Sequence, residues 1–174
     1  PAVEQLRLEN VLFSGLNDLI AHSAIQGTFD SSRWENIFLT GLRPYFGTLR
    51  NVYRFLSTLR FHVGVFKVND TFEVNIVDLI ALEVLRMFEP DVYYELRKFK
   101  GELTGIAHLY KTEGLEKDEK DHVRKTVEAF IKFARPGYEP SVREILKQLF
   151  PSIEWVFGGP QYDRDFADTW YQER

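Results

Sequence analysis

The fold class the sequence predicts is all-α: a multi-helix orthogonal bundle of roughly seven to nine helices. Three observations lead there. Apolar residues recur at three- and four-residue steps through nearly every segment that lies between glycines and prolines. Alternation of the kind a strand needs is found at His62 to Val68, where the helical pattern fits better. And a chain of 174 residues, 44% hydrophobic and 15% aromatic, has the apolar surface for a packed core.

Taken in order, residues 1–24 read as an amphipathic helix with Leu6, Leu8, Val11, Leu12, Leu16, Leu19 and Ile20 inward. Ser32 and Glu35 have capping-box spacing, which predicts a short helix over 33–40 with Trp34, Ile37 and Phe38 buried. The stretch GLRPYFG, 41–47, is a turn bracketed by glycines and broken by Pro44. Thr48 then caps a helix whose stripe is Leu49, Val52, Leu56, Leu59, Val63 and Phe66, with Arg50, Arg54, Arg60 and His62 on its polar side.

After a polar connector at 68–74, Asn75 is the expected N-cap of a helix over 76–88. Only Asp78, Glu83 and Arg86 interrupt its apolar surface, so it should be a buried helix. Glu89-Pro90 ends it, and Pro90 opens the next helix, reaching about Lys100 with Val92, Tyr93, Leu96 and Phe99 inward. A short helix over 102–112, a charge-rich helix from 116 stopped by Pro136-Gly137, and a helix launched by Pro140-Ser141 with Glu144 as capping partner complete the pattern. Val142, Ile145, Leu146 and Leu149 face inward, and a short terminal helix is expected around Phe166 and Trp170. This divides the chain into a subdomain over 1–112 and a helical extension over 113–174 packed on it.

Composition narrows the function classes. The net charge of −4, with both signs interleaved, does not indicate a general grip on nucleic acid. There is no cysteine, so disulfides and thiolate metal sites are excluded. No apolar run is long enough to span a bilayer, so no membrane contact by this segment is expected. His22, His62, His108 and His122 are scattered, without helical metal-site spacing. A Gly-Lys pair, needed in a G-x-x-x-x-G-K-[ST] phosphate loop, is absent, as is a G-x-S-x-G elbow. No enzyme is expected from these residues alone, and no cofactor held by them.

The run TLRNVYRF, followed by VNIVDLIALEVLRMFEPDVYYEL, resembles the segment after the nucleotide-binding core in the KAP family of P-loop NTPases, where an Arg-bearing helix precedes a D-L-x-A-L-E-x-L-R-x-F-E-P-like helix. The likeness extends more weakly over the first forty residues and to LKQLFP at 146–151. It implies a helical lid that closes over ATP and magnesium held by an upstream core of the same, longer and cytoplasmic chain. Family members commonly carry membrane segments within the NTPase domain, so the parent's attachment to a membrane stays open. The resemblance makes Arg50 the first candidate for sensing nucleotide and Arg54 the second, with Arg43 third. Asp78 or Glu83 is expected to form a buried salt bridge to Arg54 that fixes the two central helices.

The competing expectation is an all-helical adaptor. Its docking patch would be the aromatic residues Trp155, Phe157 and Trp170, with no nucleotide role.

Overall fold

The computed structural model describes residues 2–21, 29–68, 71–72, 74–99, 103, 116–150 and 153. Among them the fold is all-α, and the chain divides into two compact units, Pro1–Phe88 and Glu89–Arg174. The expected edge at 112–113 and the expected helices over 102–112 and around Phe166 lie outside the described residues.

The first unit opens with α1, Ala2–Ala21, which buries Leu8, Leu12, Leu16 and Leu19 and leaves Leu6 exposed. Leu8, Leu12 and Leu19 sit at steps of four and seven, one face of the helix, and Leu6 falls off that arc. Next comes α2, Ser31–Ile37, capped not by Ser32 but by Asp30, whose carboxylate accepts from the Arg33 N–H at 2.9 Å. The chain then winds without a break into one π-turn, Phe38–Leu42, and a 3-10 turn, Arg43–Phe46. The predicted loop at 41–47 is therefore mostly helical, with Gly41, Leu42, Tyr45 and Phe46 buried.

Helix α3 spans Leu49–Phe66. Thr48 begins it as expected: its Oγ1 accepts from the Asn51 N–H at 3.2 Å. The buried arc is Val52, Phe55, Leu56, Leu59 and Val63, so Phe55 replaces Leu49 and Phe66, which stand exposed at the helix ends. A two-residue antiparallel ladder, Lys67–Val68 against Thr71–Phe72, turns the chain into α4, Ile76–Phe88. Asn75 Oδ1 accepts from the N–H groups of Val77 and Asp78, at 3.0 and 3.2 Å. Nine of the thirteen α4 residues are buried, Glu83 among them, and the helix is the interior strut its composition predicts.

Aromatic rings close this core. Phe46 meets Phe55 edge-on at 5.0 Å, Tyr45 stacks on Phe88 at 5.5 Å, and Phe13, Trp34 and Phe38 form a second cluster toward α1 and α2.

In the second unit, α5 (Pro90–Leu96), α6 (Glu116–Ile131) and α7 (Glu139–Leu149) bury Val92, Leu96, Val127, Phe130, Ile131, Val142, Ile145 and Leu146. Glu89, 1% exposed, accepts from both the backbone N–H and Nε of Arg135, at 2.9 and 3.0 Å. That satisfies a buried carboxylate and ties the end of α6 to the start of α5. Gly137 takes the left-handed conformation between α6 and α7. The expected Ser141–Glu144 capping box does not form. Ser141 is buried inside α7, because the helix already begins at Glu139, two residues earlier, with Pro140 in its first turn, and Glu144 pairs with Lys147.

Candidate functional site

Among the described residues of the first unit, Arg33, Arg43 and Arg86 pair with acids, whereas Arg7, Arg50, Arg54 and Arg60 are exposed. Arg33 is buried on α2, donating from Nη1 to Asn75 Oδ1 at 3.1 Å and from Nη2 to Asp78 Oδ1. Arg43 donates from Nε to Glu9 Oε1 at 2.6 Å. Arg50, Arg54 and Arg60 on α3 are exposed, and among the described residues no hydrogen bond or ion pair reaches their side chains.

This sorts the expected sites. Asp78 pairs with Arg33, and Glu83 with Arg86 (2.5 and 2.9 Å) and with His62, whose Nδ1 lies 3.0 Å from Glu83 Oε2. The expected partner of both acids, Arg54, is exposed on α3 and pairs with neither, so the bridge to it is not formed. His62 and Glu83 instead join α3 to α4. Arg43 does not converge with Arg50 and Arg54, because Glu9 on α1 holds it. Burial acts to raise the Glu9 carboxyl's pKa, but the Gln5 amide and the Arg43 guanidinium outweigh it and hold the group below its ordinary value.

Arg50 and Arg54 are thus adjacent on one helix face, one turn or about 6 Å apart along the axis. Two like charges at that spacing disfavour the helix by a few tenths of a kcal/mol, and α3 carries no acidic residue to offset them. Their planar donor forks suit phosphate or carboxylate oxygens. Beside them, α1 and α3 bound a groove of about 470 Å³ lined by Asn10, Ser14, Tyr53, Leu56, Ser57 and Arg60 among others.

Sequence periodicity did not single out Arg33, although it lies four residues before Ile37 and so on the inward arc of α2. Its partners are 42 and 45 residues away, beyond any local pattern. Trp155, Phe157 and Trp170 lie outside the described residues. Among the described residues no three His, Asp or Glu side chains gather as a metal centre requires, and no helix is long and apolar enough to cross a membrane. No family model, curated protein or solved structure matches the chain.

Proposed function

We propose that the chain is the helical lid of a KAP-like P-loop ATPase, a segment without its own catalytic centre that closes over nucleotide bound by an upstream core. The observation that carries this reading is the exposed, acid-free Arg50–Arg54 pair at the start of α3. Arg33, Arg43 and Arg86 in the same unit are all neutralised by carboxylates. Two guanidinium groups left unneutralised on a helix braced from behind by buried α4 suit the sensing of a terminal phosphate. ATP and magnesium belong to the parent in this reading, and the lid contributes charge and closure.

The test joins the segment to its upstream core and compares ATP turnover with that of Arg50→Ala and Arg54→Ala. Loss of turnover with an unchanged melting temperature supports the reading. Turnover equal to wild type in both variants removes the pair from the reaction.

A second reading, an adaptor module, is favoured by one observation: Tyr53, Phe61 and Val65 are each more than half exposed on α3. Binding of a partner protein undiminished by removal of the core would favour it.

A further inference from the structure

The face of α3 that carries Arg50 and Arg54 also carries an exposed ring. Phe61 lies seven residues beyond Arg54, so the side chains of Arg50, Arg54 and Phe61 leave the helix within about 40° of one another around its axis. Phe61 is 67% exposed, the most exposed large apolar side chain among the described residues, and its ring meets that of His62 at 5.4 Å in a T-shaped pair. Val52, Phe55, Leu56, Leu59 and Val63 supply the buried arc, so Phe61 lies off the packing face of α3. No acid occurs along the helix.

We propose that Phe61 stacks on the base of a purine nucleoside triphosphate whose phosphates meet Arg54 and Arg50, the ligand lying lengthwise along α3. This rests on the lid reading and extends it from the phosphates to the base. Seven residues of helix set Phe61 about 10 Å along the axis from Arg54. An extended nucleoside triphosphate holds its base a similar length from its terminal phosphates, so one molecule reaches both. Between them Ser57 is exposed, and its small hydroxyl side chain leaves room for a ribose.

The arrangement also has a direction. Arg50 stands in the first turn of α3, where the helix dipole adds to the attraction of the guanidinium for phosphate, so the phosphates belong at that end and the base at Phe61. An exposed aromatic ring stacks on a base whatever hydrogen-bonding edge the base presents, and a purine offers the larger face. Tyr53, the other strongly exposed ring of α3, is one residue from Arg54 and lines the α1–α3 groove, too near the phosphates to take the base.

The experiment titrates the whole chain with ATP and, separately, with inorganic tripolyphosphate, following arginine Nε–H and aromatic ring resonances by NMR. Phe61 ring signals should move with ATP and not with tripolyphosphate, and the Arg50 and Arg54 signals with both. Phe61→Ala should weaken ATP at least fivefold, the lower end of what stacking on one base contributes, and tripolyphosphate by less than about twofold. Arg54→Ala should weaken both ligands, Phe61→Trp should retain ATP, and Tyr53→Ala should leave the difference between the ligands unchanged. GTP should follow ATP, with CTP weaker. Circular dichroism melting reports whether each variant folds, and Phe61→Leu, apolar but without a ring, stands in if Phe61→Ala does not.

Equal losses of ATP and tripolyphosphate in Phe61→Ala and Phe61→Leu, or an equal loss of ATP in Tyr53→Ala, overturn the proposal and leave the arginines to their own turnover test. ATP at millimolar concentration that moves no Phe61 signal also overturns it. Binding of both ligands that is indifferent to Arg50→Ala and Arg54→Ala overturns the proposal together with the reading it rests on.

Discussion

Nδ1 of His62 on α3 stands 3.0 Å from Oε2 of Glu83 on α4, and Glu83 is only 3% exposed. The contact is at ion-pair distance but outside hydrogen-bond geometry, and it links the helix that carries the outer arginines to the helix at the centre of the unit. Arg86, one turn along α4, holds the same carboxylate through two bonds.

Because Glu83 serves both partners, its removal should cost more than the removal of His62. Glu83→Ala takes the carboxylate away from both His62 and Arg86 at a buried position. Both are partly exposed, so the cost falls below that of a fully buried pair, at about 2 kcal/mol. His62→Ala leaves the Arg86 bonds in place and should cost about 1 kcal/mol or less. Urea titrations of the two variants and the double variant check this. Additive effects in the double variant would mean that His62 and Glu83 do not interact.

Glu9 and Arg43 give the first unit a dependence on acid. The Glu9 carboxyl is held below its usual value in the folded chain, so the stability it contributes is complete above the unfolded value, near pH 4, and is lost as pH falls through the folded value. Arg43 is about half exposed, so solvent screening limits the contribution to about 0.5–1 kcal/mol. Glu9→Gln should therefore be less stable than wild type at pH 7 and lose less on acidification. Parallel melting curves of the two proteins between pH 7 and pH 3 would contradict it.

The two central helices were legible in the sequence because their limits are set by neighbours in the chain. Thr48 caps α3, Asn75 caps α4, and Pro90 forces an end at Phe88. The start of α2 was misread because Asp30 and Ser32 both make good caps, and only the fold shows which carbonyl begins the helix. Pairings across forty residues, Arg33 to Asp78 and Arg43 to Glu9, leave no local trace. What periodicity did give was the outer face of α3. Arg50, Arg54 and Arg60, left off the apolar stripe, are exposed, whereas Phe55, also left off it, is buried with Val52 and Leu59, and Leu49 and Phe66, placed on it, are exposed at the helix ends.

Three glycines should respond differently to alanine. At Gly64, on the exposed side of α3, a Cβ meets nothing within 4 Å, and Gly64→Ala should stabilise by about 0.5–1 kcal/mol through helix propensity alone. At Gly15, where α1 crosses α3, a Cβ would lie 2.4 Å from Leu56 Cδ1 and 3.2 Å from its Cγ, so the whole side chain must move. Overpacking of about 1–3 kcal/mol then exceeds the propensity gain of about 1 kcal/mol, and Gly15→Ala should be the less stable protein. Gly137→Ala should cost about 1 kcal/mol for the left-handed backbone at φ +88°. Thermal melts of the three variants test the order. A stabilised Gly15→Ala would show that the α1–α3 contact is looser than these distances imply.

Arg50 and Arg54 should separate stability from function. Neither has a partner among the described residues, both are exposed, and each repels the other, so Arg50→Ala and Arg54→Ala should change the unfolding free energy by less than about 0.5 kcal/mol. Arg33 offers the contrast. Buried and bonded to Asn75 and Asp78, it should cost several times more when replaced by alanine, about 3 kcal/mol, with Asp78 left without its ion partner. On the proposed reading, with a nucleotide-binding core joined upstream, Arg50→Ala should lower ATP turnover at least tenfold, since a guanidinium that meets transition-state charge contributes far more than one that only solvates a surface. Arg33→Ala should act on turnover only as far as it unfolds this unit. A loss of turnover that follows melting temperature across all three variants would assign the arginines of α3 to folding rather than to phosphate.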